Sequence, residues 1–276
     1  MKSKSVLSGL KIAVVGSGNM GAALVRGLVE KSVYPQHISV FDIDKKKTDV
    51  LKKEGVKIAK TNRQCVSLAG VVILAVKPQI LQEAVNEIST AVDKDALVLS
   101  VAAGVPMAKI EQFFKKPVCL VRAMPNMPAL AGKGMSAFSL GRHATQKHRR
   151  IAEAILGSFG EAAQVPERAL DLVTAVSGSG PAYFFLLAEK MIEAAYELGM
   201  KVDLAKKLVY QTALGSGMVM AQSGEDPEEL VARVASKGGT TEAALKVFQK
   251  KGFGKIVHDA IRAAQRRSVE LREGKS

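Results

Sequence analysis

Six residues near the start of the chain, Gly16-Ser17-Gly18-Asn19-Met20-Gly21, have the types and spacing to hold a phosphate. A short β-branched run, Lys11–Val15, precedes them, and helix-favouring residues from Met20 to Glu30 follow. The G-x-G-x-x-G pattern is weak alone and gains meaning when it closes a strand and opens a helix. In that setting Gly16 permits the tight turn, Gly18 lets a ligand approach the backbone, and Gly21 lets helix and strand pack closely. Free N–H groups at the helix start then face the phosphates. Gly16, Ser17, Gly18, Asn19 and Met20 are therefore candidates for holding the pyrophosphate of a dinucleotide.

Other candidates sit at predictable places around that turn. Asp42 ends the next apolar run, where a carboxylate accepts ribose hydroxyls and repels a 2′-phosphate, which favours NADH. Lys45, Lys46 and Lys47 follow at once and offer cations to the same phosphate, so the residues leave NADH and NADPH both open. Ala75-Val76-Lys77-Pro78 leaves the end of a buried run, where open parallel sheets bind ligands; Lys77 brings a cation there, or is a solvated loop residue. The small residues of Ala102-Ala103-Gly104 leave room for a flat ring, or make a tight turn.

Glycine is costly in helical sequence, yet two Gly-rich segments occur in the later part of the chain. Ser177-Gly178-Ser179-Gly180-Pro181 and Ser236-Lys237-Gly238-Gly239-Thr240-Thr241 are each expected to open a helix. There they offer N–H groups and hydroxyls to a carboxylate, or serve simply as caps. No Asp/Glu/His cluster has metal-ligand spacing, and no nucleophile has an obvious base. His37, His143, His148 and His258 are expected at the surface. Hydride transfer suits such a set, because the cofactor does the hard step and the protein orients it.

These residues need a scaffold, and the first half supplies one. Lys11–Val15, Ile38–Phe41, Val71–Val76, Leu97–Val101 and Val118–Val121 read as short strands, with helices such as Met20–Glu30 and Pro78–Ile88 between them. Gly134–Leu140 and Ala162–Val165 add strands around a helix over Thr145–Phe159. Alternation of this kind predicts parallel strands with crossover helices. No strand is expected after Val165. Helices are expected over Pro181–Leu198, ended by Gly199, and over Asp203–Gln222, with Asp203 as its N-cap. Three more follow, over Pro227–Val234, Thr241–Lys250 and Lys255–Leu271. The Pro181 helix is apolar nearly all round, so a partner subunit is expected to cover what a domain of this size leaves bare.

Composition narrows the class. The 276 residues suffice for two domains. The two cysteines, Cys65 and Cys119, have no companion at disulfide-framework or zinc spacing, which suits a reducing compartment. No apolar run reaches the roughly 18 residues of a membrane span, and Met1–Leu10 lacks a signal-peptide core. The expected location is the cytoplasm, with no membrane partner. The net charge of +14 would attract polyanions, but the basic residues are scattered and not interleaved with aromatics. Nucleic acid is not an expected partner.

The chain resembles the pyrroline-5-carboxylate reductase family. The resemblance lies in GSGNMG at Gly16, LAVKPQ at Leu74, SVAAGV at Ser100, VRAMPNMPA at Val121, TAVSGSGPAYFF at Thr174 and SKGGTTEAAL at Ser236. These segments occur in family order across nearly the whole chain. The resemblance implies reduction of the cyclic imine 1-pyrroline-5-carboxylate to L-proline by NADPH or NADH. It implies that backbone amides over Gly238–Thr241, with Thr240 and Ser179 beside them, hold the substrate carboxylate, and that Thr241 hydrogen-bonds the imine nitrogen. Asn62 is placed by the adenosine end of the cofactor, and Ala75, Val76, Lys77, Pro78 and Ala103 by its nicotinamide half. Dimers through the helical domain, and decamers built from them, are implied as well. Lys237 stands where the family usually has Pro, Ala232 where an acid is common, and Asp42 where NADPH-dependent members often carry a small polar residue.

Three rivals can be set beside this, the first a related reductase of another cyclic imino acid, which Lys237 and Ala232 at the edge of the substrate loop leave open. β-Hydroxyacid dehydrogenases share a lysine followed four residues later by asparagine, but Lys190 is followed by Ala194. A non-catalytic dinucleotide sensor or nucleic-acid-binding protein would not need the glycines and threonines of the Ser236–Thr241 segment. The expected architecture is α/β: a doubly wound, mainly parallel Rossmann-type sheet domain over residues 1–165, then an all-helical dimerisation domain over 166–276.

Overall fold

A computed structural model describes residues 6–31 and 33–274. Strands and helices alternate from the start: β1 (Ile12–Val15), α1 (Asn19–Glu30), β2 (Ile38–Phe41), α2 (Lys45–Lys52), β3 (Lys57–Ile58) and α3 (Asn62–Val66). They continue with β4 (Val71–Leu74), α4 (Leu81–Ile88), β5 (Leu97–Ser100), α5 (Met107–Phe113) and β6 (Cys119–Met124). The sheet is completed by β7 (Gly134–Leu140), α6 (Gln146–Leu156) and β8 (Gly160–Gln164). The eight strands lie in the order β3-β2-β1-β4-β5-β6-β7-β8, parallel throughout except where β7 pairs antiparallel with β6. The order reverses between β1 and β4, the switch point at which such sheets bind ligands beyond the strands' carboxyl ends.

Alternation along each strand divides the core into two layers. Ile12 and Val14 of β1 face one cluster with Leu24, Val25 and Leu28 of α1 and Ile151 and Ile155 of α6. Ala13 and Val15 face the other, with Val66 of α3, Val85 and Ile88 of α4 and Ile110 of α5. Covered on both faces, the strands are apolar at nearly every position, as parallel strands must be.

Beyond the sheet come α7 (Leu170–Val173), α8 (Gly180–Glu197), α9 (Val202–Ser223), α10 (Pro227–Val234), α11 (Thr240–Lys250) and α12 (Phe253–Arg272). The chain divides into two compact units: residues 1–179 with 264–276, and residues 180–263. In the first, Asp171 of α7 is buried and paired with the end of α12. It accepts from Ser268 Oγ at 2.9 Å and from the Arg272 guanidinium. In the second, α8 packs against α9, and Gly199 (φ +94°) ends α8 in the left-handed conformation.

Several expectations are corrected. The Val71–Val76 strand stops at Leu74, although the Ala75 N–H still donates to Val15 O at 2.8 Å. The last strand begins at Gly160, not Ala162, and β6 runs on to Met124. The cap of α9 is Lys201, which leaves Asp203 in the first turn. His148 is buried, not a surface residue: its Nδ1 accepts the Thr145 N–H at 3.1 Å and its Nε2 lies 3.3 Å from Asp95 O. It caps α6 and ties that helix to the turn before β5.

Within this single chain α8 is not a buried helix. Phe184 is 65% exposed and Phe185 57%, so the apolar surface that the sequence places there awaits cover from outside the chain. By length and composition the helical stretch Glu167–Glu197 would also suffice to cross a membrane, with a mean hydropathy of 1.3 over its most apolar window. That corrects the expectation that no segment qualifies, because interspersed charges do not stop a helix from being apolar on average.

Candidate active site

The carboxyl ends of β1, β4, β5 and β6 form one edge of the first unit, and most of the expected residues gather there. Gly16 leaves β1 with φ +96° and donates its N–H to Phe41 O at 2.8 Å. A Cβ on it would lie 2.7 Å from the Ala75 carbonyl oxygen and 2.9 Å from Val76 Cγ1. The Gly-rich turn is thus seated directly on the Ala75–Pro78 loop. A Cβ on Gly21 would lie 2.1 Å from Gly16 O, so helix and turn can approach only with glycine here.

Gly18 is different. It caps α1 without a side-chain hydrogen bond, and a Cβ there would meet open space. The first turn, opened by Asn19 and Met20, carries no acidic residue and leaves its N–H groups to a ligand. Beside it Ser17 is buried and its Oγ has no hydrogen-bond partner. Asn62, at the start of α3, is buried likewise: Nδ2 donates to Glu87 Oε2 at 2.7 Å while Oδ1 has no partner. Buried polar atoms left unpaired cost free energy, so the Ser17 and Asn62 oxygens fit a ligand that supplies their partners. A dinucleotide does so through its phosphates and ribose hydroxyls.

Asp42 ends β2 and is tied into this cradle. Its Oδ2 accepts the Ser17 N–H at 2.7 Å and its Oδ1 accepts the Asp44 N–H at 2.9 Å. Asp44 in turn caps α2 by accepting from Lys46 N at 3.0 Å, which leaves Lys45 and Lys46 exposed beside Asp42. Lys77 is exposed and caps the short 3-10 turn Pro78–Ile80; Val76 is half-buried. Ala103 is exposed after β5, next to Gly104 at φ +73°.

The Ser177–Pro181 segment opens α8 at Gly180, as expected, but follows directly on a π-helical turn over Thr174–Gly178 in which the Ser179 N–H donates to Thr174 O at 2.7 Å. Pro181 lacks the N–H that would bond the carbonyl four residues back, and its ring crowds that carbonyl, so the helix bulges rather than stops. Ser177 O accepts instead from Asn126 Nδ2 at 3.2 Å. Ser179 is therefore presented by a bulge, not by the free amides of a helix end. Asn126 and the buried Arg122, whose Nη1 donates to Glu167 Oε1 at 3.0 Å, were not singled out from sequence; their signal was the VRAMPN run after a strand.

In the second unit, Gly238, Gly239, Thr240 and Thr241 form the turn into α11. Gly238 takes φ +73°, and a Cβ on Gly239, the helix cap, would lie 2.5 Å from Ser236 Oγ. The first-turn amides from Thr240 onward have no earlier helical partner and can receive a carboxylate. The Gly238 N–H is already taken, by Glu242 Oε2 at 2.5 Å, while Glu242 Oε1 pairs with Lys246 Nζ at 2.8 Å. The bond to Lys246 first, and then the one from Gly238, hold the Glu242 carboxyl below its ordinary value. Thr241 is half-buried and Thr240 exposed. Both thiols are buried; desolvation pushes Cys65 up to about 11, which removes it as a nucleophile.

With this geometry in place, comparison with known proteins becomes specific. Residues 167–271 match the family described as pyrroline-5-carboxylate reductase dimerisation, and residues 11–104 that described as NADP oxidoreductase, coenzyme F420-dependent. A pyrroline-5-carboxylate reductase of Pseudomonas aeruginosa is 38% identical over 95% of this chain and 97% of its own length. A solved pyrroline-5-carboxylate reductase from Coxiella burnetii superposes with a TM-score of 0.90 at 34% identity, covering 95% of this chain and 98% of that one. One from Plasmodium falciparum with NADP bound gives 0.85 at 27%, covering 96% and 98%. Identity at this level over the whole length, through both the cradle and the helical unit, means that the chain belongs to the pyrroline-5-carboxylate reductase family.

Proposed function

We infer that this chain is an NAD(P)H-dependent reductase of 1-pyrroline-5-carboxylate, forming L-proline in the last step of proline synthesis. The observation that carries the reading is the open Gly18 cradle with the orphaned Ser17 Oγ and Asn62 Oδ1, in a chain that also holds the Gly-rich turn into α11. The reduced nicotinamide supplies the hydride when bound. Gly16, Ser17, Gly18, Asn19 and Met20 hold the pyrophosphate, Asp42 and Asn62 the adenosine half, and Ala75–Pro78 with Ala103 the nicotinamide half. The amides from Thr240 onward, with the Ser179 hydroxyl, receive the substrate carboxylate, since the Gly238 and Gly239 N–H groups are already held by Glu242 and Ser236. Thr241 orients the imine nitrogen; its hydroxyl both donates and accepts, so it serves the protonated and the neutral imine.

On this reading residues 1–165 bind the dinucleotide, and residues 166–276 bind the imino acid and form a homodimer, with a decamer as the larger assembly. The exposed apolar side chains of α8 and α9 support subunit contacts rather than a membrane as their cover, because the 167–271 match is to a dimerisation family. A cytoplasmic location is in keeping with the unpaired cysteines. The test is spectrophotometric: NADH and NADPH oxidation, each with and without pyrroline-5-carboxylate. Turnover only with the imino acid is expected, and none with either cofactor would end this reading.

A further inference from the structure

We propose that Asn126 is a positioning residue for the imino acid: it fixes the Ser177–Ser179 bulge against the carboxyl end of β6 and so sets where Ser179 meets the substrate. The proposal rests on the role given to Ser179 above. Asn126 lies just beyond β6, and each of its polar side-chain atoms is used. Oδ1 accepts the Met135 N–H of β7 at 2.9 Å, while Nδ2 donates to Ser177 O and Ser177 Oγ, both at 3.2 Å.

Two further observations make this an arrangement specific to the bulge. The Ser177 carbonyl is the one that Pro181 cannot bond, so Asn126 stands in for a donor that the helix has lost. Gly178 is seated on the end of β6, where a Cβ would lie 2.6 Å from Met124 Cε. The amide thus bridges the strand end, β7 and the bulge within one compact unit. It is on the same sheet edge as the Gly-rich turn and the Ala75–Pro78 loop. Without the bridge, the bulge keeps its helical connections but loses its fixed distance from that edge.

A merely structural reading is that Asn126 only satisfies a carbonyl. Pro181→Ala separates the two, because it restores a backbone N–H that can reach Ser177 O. Asn126→Asp keeps the acceptor for Met135 and loses both donors; Asn126→Ala loses all three bonds. Each variant, and Asn126→Ala combined with Pro181→Ala, is assayed for KM and kcat with pyrroline-5-carboxylate, for the dinucleotide KM, for Tm, and for amide exchange of the peptide covering residues 174–180. For both Asn126 variants the expected result is a roughly tenfold higher imino-acid KM, a dinucleotide KM within about twofold of wild type, and faster exchange in that peptide. In the double variant Tm recovers and the imino-acid KM does not. An unchanged imino-acid KM, a parallel rise in dinucleotide KM, unchanged exchange, or recovery of both Tm and KM by Pro181→Ala would each overturn the proposal. A wild-type enzyme without imino-acid turnover defeats the functional reading, and the exchange measurement still decides whether Asn126 holds the bulge.

Discussion

Asp42 offers the sharpest test of cofactor choice, because its carboxylate does two things at once. On the proposed cofactor placement it sets negative charge where a 2′-phosphate would lie, and it accepts the Ser17 N–H of the Gly-rich turn at 2.7 Å. For a phosphate oxygen about 5 Å away and an effective dielectric of about 40 at this half-exposed site, repulsion is about 1.7 kcal/mol per unit of phosphate charge. For a phosphate carrying one to two charges, removing the carboxylate should therefore raise the ratio of NADPH to NADH kcat/KM by roughly ten- to three-hundredfold. The hydrogen bond acts on both cofactors alike. Its loss costs about 1.5 kcal/mol or more of turn stability and lowers both efficiencies by about tenfold. Asp42→Ser loses charge and acceptor; Asp42→Asn loses the charge but keeps an acceptor for Ser17. Steady-state kinetics with both cofactors should give the same shift in ratio for the two variants, with overall efficiency retained only in Asp42→Asn. A ratio unmoved in both would refute the reasoning and assign the choice to Lys45, Lys46 and Lys47.

Other outcomes follow from the same geometry. Thr241→Ala should lower imino-acid kcat/KM by roughly ten- to a hundredfold with dinucleotide affinity intact, while Thr241→Ser keeps most activity; a Thr241→Ala enzyme like wild type, beside a dead Lys77→Ala, would move the proton to the lysine. Light scattering at micromolar concentration should give a dimer or larger, since Phe184 and Phe185 are more than half exposed in one chain; a monomer would contradict it. The Glu242 carboxyl is held below its ordinary 4.5, so its bonds to Lys246 and Gly238 contribute stability that is present above about that pH and lost as pH falls through the lowered value. Glu242→Gln should flatten the acid limb of a Tm-against-pH profile below about pH 4.5, and an unchanged limb would show that the carboxylate contributes nothing there.

Features encoded within a few residues were legible in the sequence. Gly16 needs its positive φ because the chain must turn from β1 into α1, and Pro227 with Asp226 sets the start of α10 by a proline at the first position and a capping side chain. Features decided by distant contacts were not. β3 has two residues, one of them an exposed lysine, and pairs only because β2 is already in place. The α2 segment is rich in lysine and buries only Thr48 and Leu51, too few for an apolar period to show. His148 looks like a surface residue in a polar helix until Asp95 is seen beside it. The Ser177–Pro181 segment read as the start of α8 because Gly, Ser and Pro are what helix starts use; the π-helical turn before it, which Asn126 contacts from 51 residues earlier, did not show.

The pairing of Asp171 with Ser268 and Arg272 bears on the order in which the chain can fold. A nascent chain emerges N-terminus first, and its sheet is complete once β8 has appeared. Asp171 follows soon after, but its partners are 97 and 101 residues further on. Until they arrive, the carboxylate either stays solvated, with α7 not yet docked, or is buried alone, at a cost of about 3–5 kcal/mol. The first unit thus stays open at α7 while all of α8 to α11 is made, and closing it is a late, long-range step. A chain stalled before residue 268 would present a finished sheet with an undocked helix. Such a species exposes apolar surface and is a substrate for chaperones or proteases rather than for assembly.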